Sequence, residues 1–210
     1  MSYTVGSLFA GIGGICYGFK QAGCSVLWAN EIDHKACETY KLNHKNSELF
    51  CHDVHDNKWK ENLAQVDIIT SGFPCQAFSL AGLRKGFEDP RGNLFFETAK
   101  LIDSIKPKAF LLENVKNLTS HDYGKTFKVI ENVIKNDLGY SFIPMLLNSK
   151  DYGDTPQNRE RIYIVGFRDE AFLIPNLNIA EIISNKCTEN FKIPEKIPLI
   201  KGIKEILSLE

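Results

Sequence analysis

Apolar positions along the chain follow two kinds of pattern. Some are short runs with the length of strands, and others are longer segments in which apolar residues recur with helical spacing. The strand-like runs cover 4–10, 24–31, 48–54, 66–72, 109–115 and 161–168. The helix-like segments cover 13–23, 33–44, 93–106 and 125–137. Strands that alternate with helices predict an α/β fold, a parallel sheet covered by helices on both faces.

Residues at the ends of the helix-like segments agree with this assignment. Asp33 stands where a helix N-cap is expected, and Gly23 where a glycine ends a helix. Pro107 follows the segment 93–106 and stops it. The apolar face of that segment consists of Leu94, Phe95, Ala99, Leu101, Ile102 and Ile105.

The pattern changes beyond about Phe172. The tail is rich in Asn, Ile, Lys and Pro, has weak periodicity, and ends in a short helix-like segment, KGIKEILSLE (201–210). We therefore expect one domain over 1–170 and a C-terminal extension over 171–210.

Composition and charge narrow the class of protein. The chain has 210 residues, of which 43% are hydrophobic and 24% charged, as in a soluble globular domain. Its net charge of -1 gives no overall basic field that would attract nucleic acid. The apolar runs are too short for a membrane span, and the N-terminus lacks a signal-peptide pattern. We expect a cytosolic protein.

The six cysteines form no C-x-x-C pair, which argues against a zinc ribbon or a thioredoxin-like site. In a reducing cytosol most of them are expected to be free thiols that pack as small hydrophobes.

Glycines and carboxylates follow the first three predicted strands. Gly11, Gly13 and Gly14 allow close approach of a ligand, although Cys16 breaks the dinucleotide pattern G-x-G-x-x-G. A tight strand-to-helix turn explains the glycines equally well. Glu31 can accept hydrogen bonds from a ribose diol, and Asp53 from an adenine amino group. Since no phosphate-binding loop is present, this arrangement favours S-adenosylmethionine over ATP or NAD.

The segment HDVHD offers a second interpretation, as a metal site. His52, Asp53, His55 and Asp56 are close in sequence, but no matching cluster elsewhere completes a ligand set. We therefore expect no metal.

Cys75 lies in SGFPCQAFSLAG, directly after a predicted strand. It is either a packed thiol or a nucleophile. Ala81 stands where a tyrosine phosphatase would have its arginine, and no histidine motif indicates a protease. Glu113 ends the next strand, and parallel strands bring such residues to one edge. The segment QNRERI adds Arg159 and Arg161, which alone would indicate only a solvated turn.

Taken together, the motifs resemble those of bacterial cytosine-5 DNA methyltransferases, and in particular the subgroup of the HhaI methyltransferase. The resemblance runs along nearly the whole chain. It rests on LFAGIGG, NEID, GFPCQAFS, KGFEDPRGNLFFE, ENVKNL and DYGDTPQNRERIYIVGFR. It implies a Rossmann-like, S-adenosylmethionine-dependent methyltransferase fold, with the catalytic and cofactor-binding domain over 1–170.

The resemblance also implies a mechanism and catalytic residues. The Cys75 thiolate attacks C6 of a cytosine, and Glu113 binds the ring N3 and the exocyclic amine. Arg161 contacts the cytosine carbonyl oxygen, and Arg159 holds phosphate or the closed loop. The cytosine C5 then takes the methyl group of S-adenosylmethionine, which leaves as S-adenosylhomocysteine.

The cofactor residues follow from the same match. Phe9 and Ile32 are implied to enclose the adenine, with Glu31 on the ribose and Asp53 on the adenine amine. The remaining cofactor positions are Gly11, Ile12, Gly14, Val54, Gly72, Leu94 and Pro74, of which Pro74 also shapes the turn before Cys75.

Because the target atom is inaccessible in a duplex, the base must be flipped out of double-stranded DNA. Residues 76–93 resemble the mobile loop that closes over it, with Gly82, Gly86 and Gly92 for flexibility. Loop or DNA contacts are expected from Gln76, Ser79, Arg84, Lys85 and Arg91.

Two features depart from the family pattern. Ser7 replaces the usual Asp at the start of the first motif, which puts the tethering of the cofactor's amino end in doubt. The target-recognition domain and the closing C-terminal motifs are not in these 210 residues. We expect either a catalytic subunit that a second polypeptide completes or a truncated product, with little sequence-specific activity on its own.

Two alternatives stay open at this stage. One is an RNA cytosine-5 methyltransferase, and the other is a non-catalytic regulatory subunit that binds S-adenosylmethionine. The main interpretation is a modification enzyme of a restriction-modification system in the bacterial cytoplasm.

Overall fold

A computed structural model describes residues 2–74, 94–168, 188 and 190–200. Its strands are β1 (Thr4–Leu8), β2 (Ser25–Glu31), β3 (Glu48–Cys51), β4 (Ile68–Ser71), β5 (Ala109–Val115), β6 (Ile143–Asn148) and β7 (Glu160–Phe167). Its helices are α1 (Gly14–Gln21), α2 (His34–Asn43), α3 (Leu94–Ile105), α4 (Lys125–Asn132) and α5 (Ser149–Tyr152).

The seven strands form one sheet in the order β3-β2-β1-β4-β5-β7-β6. The first five strands in this order pair in parallel, whereas β7 runs antiparallel to both β5 and β6. The prediction of a mostly parallel sheet is therefore confirmed. β1 and β4 are parallel, but the order in which the chain adds strands reverses between them, since β2 and β3 lie on one side of β1 and the later strands on the other. Ligands bind at such a switch point in open α/β sheets.

Helix ends lie close to where the sequence predicts them. The Asp33 carboxylate accepts the N–H of Ala36 at 2.9 Å and caps α2. Gly23 follows α1 with a φ of +83°, a conformation that favours glycine. α3 ends at Ile105, two residues before Pro107. Within the described ranges no helix is long and apolar enough to cross a bilayer.

Apolar side chains form two clusters, each of which joins strands to helices. The larger one joins strand residues to α3 and α4, and includes Leu8, Ile69, Phe95, Ile102, Phe110, Leu112, Ile130 and Ile164. The smaller one joins β1 and β2 to α1 and α2, and consists of Val5, Cys16, Val26, Ala29 and Tyr40. Of the predicted apolar face of α3, all members are buried except Leu94, which is half-buried.

Two elements differ from the sequence-based expectation. Strand β6 was not predicted because Pro144 interrupts its apolar pattern; an edge strand tolerates proline, whose missing N–H is not needed there. The predicted helix 125–137 is α-helical only to Asn132 and continues as a π-helical turn over Val133–Asp137.

The cysteines are only partly free thiols. Cys37 of α2 and Cys51 at the end of β3 form a disulfide, with their Cα atoms 6.3 Å apart. The expectation of free thiols is wrong for this pair, because α2 packs beside β3 and brings the two residues together. It holds for Cys16 and Cys24. Cys75 and Cys187 lie outside the described residues.

Residues 190–200 of the tail contact the segment after β6. Lys196 pairs with the Asp151 carboxylate at 3.1 Å, and the Ile197 N–H donates to the Asp151 carbonyl at 2.8 Å. The Ile200 N–H donates to the Asp154 carboxylate at 2.8 Å. The domain boundary at 170 stays a prediction, as does the helix over 201–210, which lies outside the described residues.

Replacing Gly6 by alanine tests the packing of β1. A Cβ at Gly6 would overlap the Trp28 indole, which is buried and fixed by a 2.9 Å hydrogen bond from Nε1 to the Ala64 carbonyl. Overpacking of this kind costs about 1–3 kcal/mol. We expect Gly6→Ala to lower the free energy of unfolding by about that amount, measured by urea denaturation.

Gly18→Ala is the matched control. A Cβ at Gly18 meets no atom within 4 Å, and the residue lies inside α1. Its replacement should raise the free energy of unfolding by about 0.5–1 kcal/mol, because alanine loses less backbone entropy. Equal stability of the two variants would contradict the packing at Gly6.

Candidate active site

A cleft of about 360 Å³ opens at the carboxyl ends of β1, β2, β3 and β4. Loops leave the strands at this edge of the sheet, which is the usual ligand-binding edge of such folds. Its walls consist of Phe9, Asn30, Glu31, Ile32, His52, Asp53, Val54, His55, Gly72, Pro74 and Leu94.

Most of the cofactor residues expected from the sequence meet in this cleft. Eight of the eleven line it: Phe9, Glu31, Ile32, Asp53, Val54, Gly72, Pro74 and Leu94. The other three, Gly11, Ile12 and Gly14, belong to the turn between β1 and α1 and are not among its lining residues. Ile12 is 60% exposed at the tip of that turn.

A larger cavity, of about 570 Å³, lies between α3 and residues 55–65. Ion pairs dominate its wall, since Glu97 binds Lys60 at 2.9 Å and Lys100 at 2.8 Å. Of the expected site residues that the structure describes, none lines this cavity.

The Glu31 carboxylate binds three backbone N–H groups. Its Oε2 accepts from Gly11 at 2.7 Å, and its Oε1 accepts from Ile32 and Asp33 at 2.9 Å each. Glu31 therefore joins the glycine turn to the segment that starts α2. A carboxylate has about four lone-pair positions, so acceptor capacity for about one further hydrogen bond remains.

The backbone of the glycine turn is left-handed at several positions. Gly11 has a φ of +56° and Gly13 a φ of +95°. Phe9, at the start of the turn, also has a positive φ of +51°, which costs a non-glycine residue about 1–2 kcal/mol. This conformation places Phe9 in the wall of the cleft.

Asp53 is held by His55. Its Oδ1 accepts the His55 backbone N–H at 2.9 Å and lies 2.8 Å from Nδ1 of the ring. The backbone N–H and then the imidazole lower the pKa of Asp53 below its ordinary value. Asp53 is therefore ionised at neutral pH and acts only as a hydrogen-bond acceptor.

Asn30 is a site residue that the sequence reasoning missed. It is buried, and its Nδ2 donates to the carbonyls of Phe50 at 3.2 Å and His52 at 2.8 Å. These bonds hold the end of β3, and with it the segment that carries Asp53, against β2. A polar residue at an interior strand position was the signal that could have found it.

Asn114 is a second residue whose role was missed. Its buried Nδ2 donates to the Phe73 carbonyl at 2.7 Å, and its Oδ1 accepts the Val115 N–H at 2.8 Å. Strand β5 thus fixes the segment that leads through Pro74 to Cys75.

Cys75 itself lies outside the described residues, as does the rest of 75–93, including Gln76, Ser79, Arg84, Lys85 and Arg91.

Glu113 and Arg161 form an ion pair at the same sheet edge. Arg161 Nε lies 3.0 Å from Glu113 Oε1, and each side chain is 20% exposed. Antiparallel pairing of β5 with β7 places Glu113 opposite Tyr163, two residues from Arg161. Burial, and then the Glu113 charge, raise the pKa of Tyr163 above its ordinary value. A Cβ at Gly72 would lie 3.6 Å from Glu113 Oε2, so this pair adjoins the Gly72–Pro74 segment.

Arg159 and Ser7 lie apart from the cleft. Arg159 is exposed, and its backbone N–H donates to Asn148 Oδ1 at 3.2 Å. Ser7 is 1% exposed, and its hydroxyl accepts a 2.9 Å hydrogen bond from Thr70. Ser7 does not line the cleft.

The segment HDVHD shows no metal-binding arrangement. In the part of the chain that the structure describes, no three His, Cys, Asp or Glu side chains are grouped to hold a metal ion. In this segment His55 instead bonds to Asp53.

Strand order, the antiparallel β7 and the cleft together define the class as the Rossmann-like fold of S-adenosylmethionine-dependent methyltransferases. A solved structure of a DNMT2 variant from Spodoptera frugiperda shares this fold, with a TM-score of 0.62 and 26% identity. The alignment covers 87% of this chain and 54% of that one.

The model of the family described as C-5 cytosine-specific DNA methylase matches residues 3–209, and the chain belongs to this family. The type II methyltransferase M.Bsp6I of Bacillus sp. (strain RFL6) is 47% identical over 207 residues, 98% of this chain. The type II methyltransferase M.HhaI of Haemophilus parahaemolyticus is 40% identical over 201 residues, 95% of this chain. The chain spans 60% and 55% of the length of these two relatives.

Removal of the Asn114 amide tests whether it fixes the Phe73 segment. Asn114→Ala leaves the buried Phe73 carbonyl without its donor, and such a loss costs about 1–3 kcal/mol. We expect this decrease in the free energy of unfolding, together with faster proteolysis near residue 73. Asn117→Ala, at an exposed position three residues later, is the control and should change stability by less than about 0.5 kcal/mol. Similar stability of both variants would show that the bond is dispensable.

Proposed function

We propose that this chain is the catalytic part of a DNA (cytosine-5)-methyltransferase of a restriction-modification system. It transfers a methyl group from S-adenosylmethionine to C5 of a cytosine flipped out of double-stranded DNA. The observation that carries the proposal is the Glu113–Arg161 pair, which adjoins the segment leading into Cys75 at the edge of the cleft. We propose the bacterial cytoplasm as its location, because its proposed substrate, DNA, lies there.

The cleft suits an adenosine group in size and in chemistry. Its walls combine apolar side chains, Phe9, Ile32 and Leu94, with the carboxylates of Glu31 and Asp53. Apolar surfaces suit the faces of a purine, and carboxylates suit ribose hydroxyls and an exocyclic amine. None of the described residues that line the cleft is a lysine or an arginine, which fits a cofactor without phosphate. When bound there, S-adenosylmethionine supplies a methyl group on a positively charged sulfur.

Cys75 performs covalent catalysis in this proposal. Cytosine C5 is a poor nucleophile, and addition of the Cys75 thiolate to C6 makes C5 electron-rich. C5 then forms its bond to the methyl carbon as the carbon–sulfur bond of the cofactor breaks. Loss of the C5 proton to a base and elimination of the thiolate restore the aromatic ring.

Glu113 and Arg161 stabilise the charge that develops on the base. The Glu113 carboxylate accepts hydrogen bonds from the exocyclic amine and from N3 once that nitrogen is protonated, and Arg161 donates to the carbonyl oxygen. Their ion pair sets the distance between the two groups before the base arrives, so that little reorganisation is needed. Arg159, which is exposed near this pair, is proposed to contact phosphate.

Residues 76–93 are proposed to close over the flipped base and to contact DNA. Three basic residues in this segment, Arg84, Lys85 and Arg91, suit phosphate contacts. The chain as a whole has a net charge of -1. Most of the contacts that hold and read the duplex are therefore proposed to come from further polypeptide.

An apolar groove supports a need for further polypeptide. It has a volume of about 410 Å³ and runs along one side of α1 onto β5 and β7, lined by Gly14, Ile15, Gly18, Phe19, Ala22, Leu111 and Tyr163. Gly14, Gly18 and Ala22 are four residues apart and share one helix face. We propose that it receives a segment from the region that the relatives have beyond the matched part. That segment is joined to this chain or supplied by a second polypeptide.

Asp53→Asn tests the cofactor site. The amide replaces an ionised acceptor by a group that both donates and accepts, so the bond to an adenine amine weakens. We expect the Kd for S-adenosylhomocysteine to rise about tenfold, measured by isothermal titration calorimetry on the chain with its completing polypeptide. Asp56→Asn, three residues later and outside the cleft, should leave the Kd unchanged. Equal effects of both changes on the Kd would show that Asp53 does not contact the cofactor.

A trapping experiment tests catalysis and separates the alternatives. Duplex DNA that contains 5-fluorocytosine should form a covalent adduct with the completed enzyme in the presence of S-adenosylmethionine. After methyl transfer C5 carries fluorine in place of the proton, so the thiolate cannot be eliminated. Cys75→Ala should give no adduct, and Glu113→Gln should slow methyl transfer to ordinary DNA by about 10²–10⁴-fold.

Two further outcomes of that experiment would favour the alternative functions. Transfer to tRNA in place of duplex DNA would favour an RNA methyltransferase. Cofactor binding without any adduct would favour a regulatory subunit.

A further inference from the structure

His44 is buried, and its ring lies against Gly13 of the glycine turn. It follows α2 directly, is 3% exposed, and its ring stacks on Tyr40 with centroids 4.3 Å apart. The Tyr40 hydroxyl is held by Ser47 at 3.1 Å. The ring is therefore fixed on one face by a side chain that is itself buried and bonded.

The edge of the His44 ring touches Gly13. Its Nε2 lies so close to Gly13 that a Cβ there would overlap it, and contact with the Gly13 backbone raises the pKa of the ring. The Gly13 carbonyl also accepts the Tyr17 N–H at 2.8 Å, the first hydrogen bond of α1. A carbonyl partner requires a proton on Nε2, so the neutral ring leaves Nδ1 unprotonated.

Nδ1 of His44 is buried and has no hydrogen-bond partner among the residues that the structure describes. A buried polar atom without a partner is costly, and most such atoms in native proteins are satisfied. The cost grows if Nδ1 takes a proton, because the ring then carries a charge with no acceptor. A cavity of about 250 Å³ lies beside the ring, with Lys20 and Ser47 in its wall.

We propose that neutral His44 is a positioning residue that holds the glycine turn of the cofactor site, and that protonation of its ring releases the turn. The turn has two anchors: the Glu31 carboxylate accepts the Gly11 N–H, and the His44 ring packs directly against Gly13. Gly11 and Gly13 are two residues apart in the same turn, so we expect loss of the contact at one glycine to increase the backbone mobility of the other. The link to methyl transfer rests on the function proposed above.

The direction of the pH effect follows from the groups around the ring. Burial, and then the Lys20 charge, lower the pKa of His44, while the Gly13 carbonyl raises it less. Tyr40 stays neutral because burial raises its pKa, and the Cys24 thiol also lines the cavity. A released His44 has an ordinary pKa of about 6.5. The held turn is therefore fully favoured above that pH and is lost as the pH falls below it.

Backbone amide NMR tests the anchor without any cofactor. We expect the amide signals of Gly11, Gly13 and Gly14 to shift between pH 5 and 8 along one curve, together with the His44 ring. The midpoint should lie below that of an exposed histidine. His44→Gln places an amide N–H near the position of Nε2 and cannot titrate, so its glycine signals should stay constant. His34→Gln, at an exposed position on α2, should keep the wild-type curve.

Cofactor binding over the same pH range tests the consequence. The affinity of the completed wild-type protein for S-adenosylhomocysteine should fall by up to about tenfold from pH 7.5 to 5.5. His44→Gln should bind at pH 7.5 within about threefold of wild type, with a change of less than about twofold across the range. His44→Ala, which loses both the donor and the stack, should bind about tenfold more weakly at pH 7.5.

The outcomes separate this inference from the proposed function. Glycine signals that ignore the titration of His44, or a Gln variant with the wild-type pH profile, would overturn the role of His44. Absence of S-adenosylhomocysteine binding in the wild type and in every variant would overturn the cofactor assignment. The NMR titration would still show whether His44 holds the glycine turn, because it needs no cofactor.

Discussion

Three backbone N–H groups converge on the carboxylate of Glu31, and the geometry of the cleft depends on this convergence. Parallel pairing aligns β1 with β2 but leaves the loops that follow them undefined. Glu31 fixes these loops, because it binds the loop after β1 through Gly11 and the segment before α2 through Ile32 and Asp33. The loops can then adopt left-handed conformations that would otherwise be unfavourable, including that of Phe9.

Two buried asparagines, on β2 and β5, fix further loops at this edge of the sheet. Asn30 holds the end of β3, and Asn114 holds the segment after β4. Each is buried and bonds to the carbonyls of a neighbouring segment, so each strand end is tied sideways to the next. The cleft residues are therefore positioned by the sheet, although they lie on loops.

Local patterns were enough to predict most elements of this fold. The strand over 109–115 and the N-cap at Asp33 depend on residues next to them in sequence, so periodicity and capping preference identify them. The antiparallel direction of β7 was beyond such patterns, because it depends on pairing with β5, about fifty residues earlier. The same is true of the Cys37–Cys51 pair, which exists only because α2 packs beside β3. In the site, the sequence predicted the carboxylates at strand ends. The anchoring roles of Asn30 and Asn114 could not be predicted, because they depend on which carbonyls lie opposite their side chains.

The position of β7 within the sheet has a consequence for the order of folding. β7 is the last strand of the described chain, yet it lies between β5 and β6 rather than at an edge. Until residues 160–167 are synthesised, β5 is an open edge whose free N–H and C=O groups invite pairing with other chains. Arg161 arrives with the strand that closes this edge, so the Glu113–Arg161 pair forms only when the sheet is complete. Partly synthesised chains therefore carry both the greatest risk of aggregation and an unassembled site.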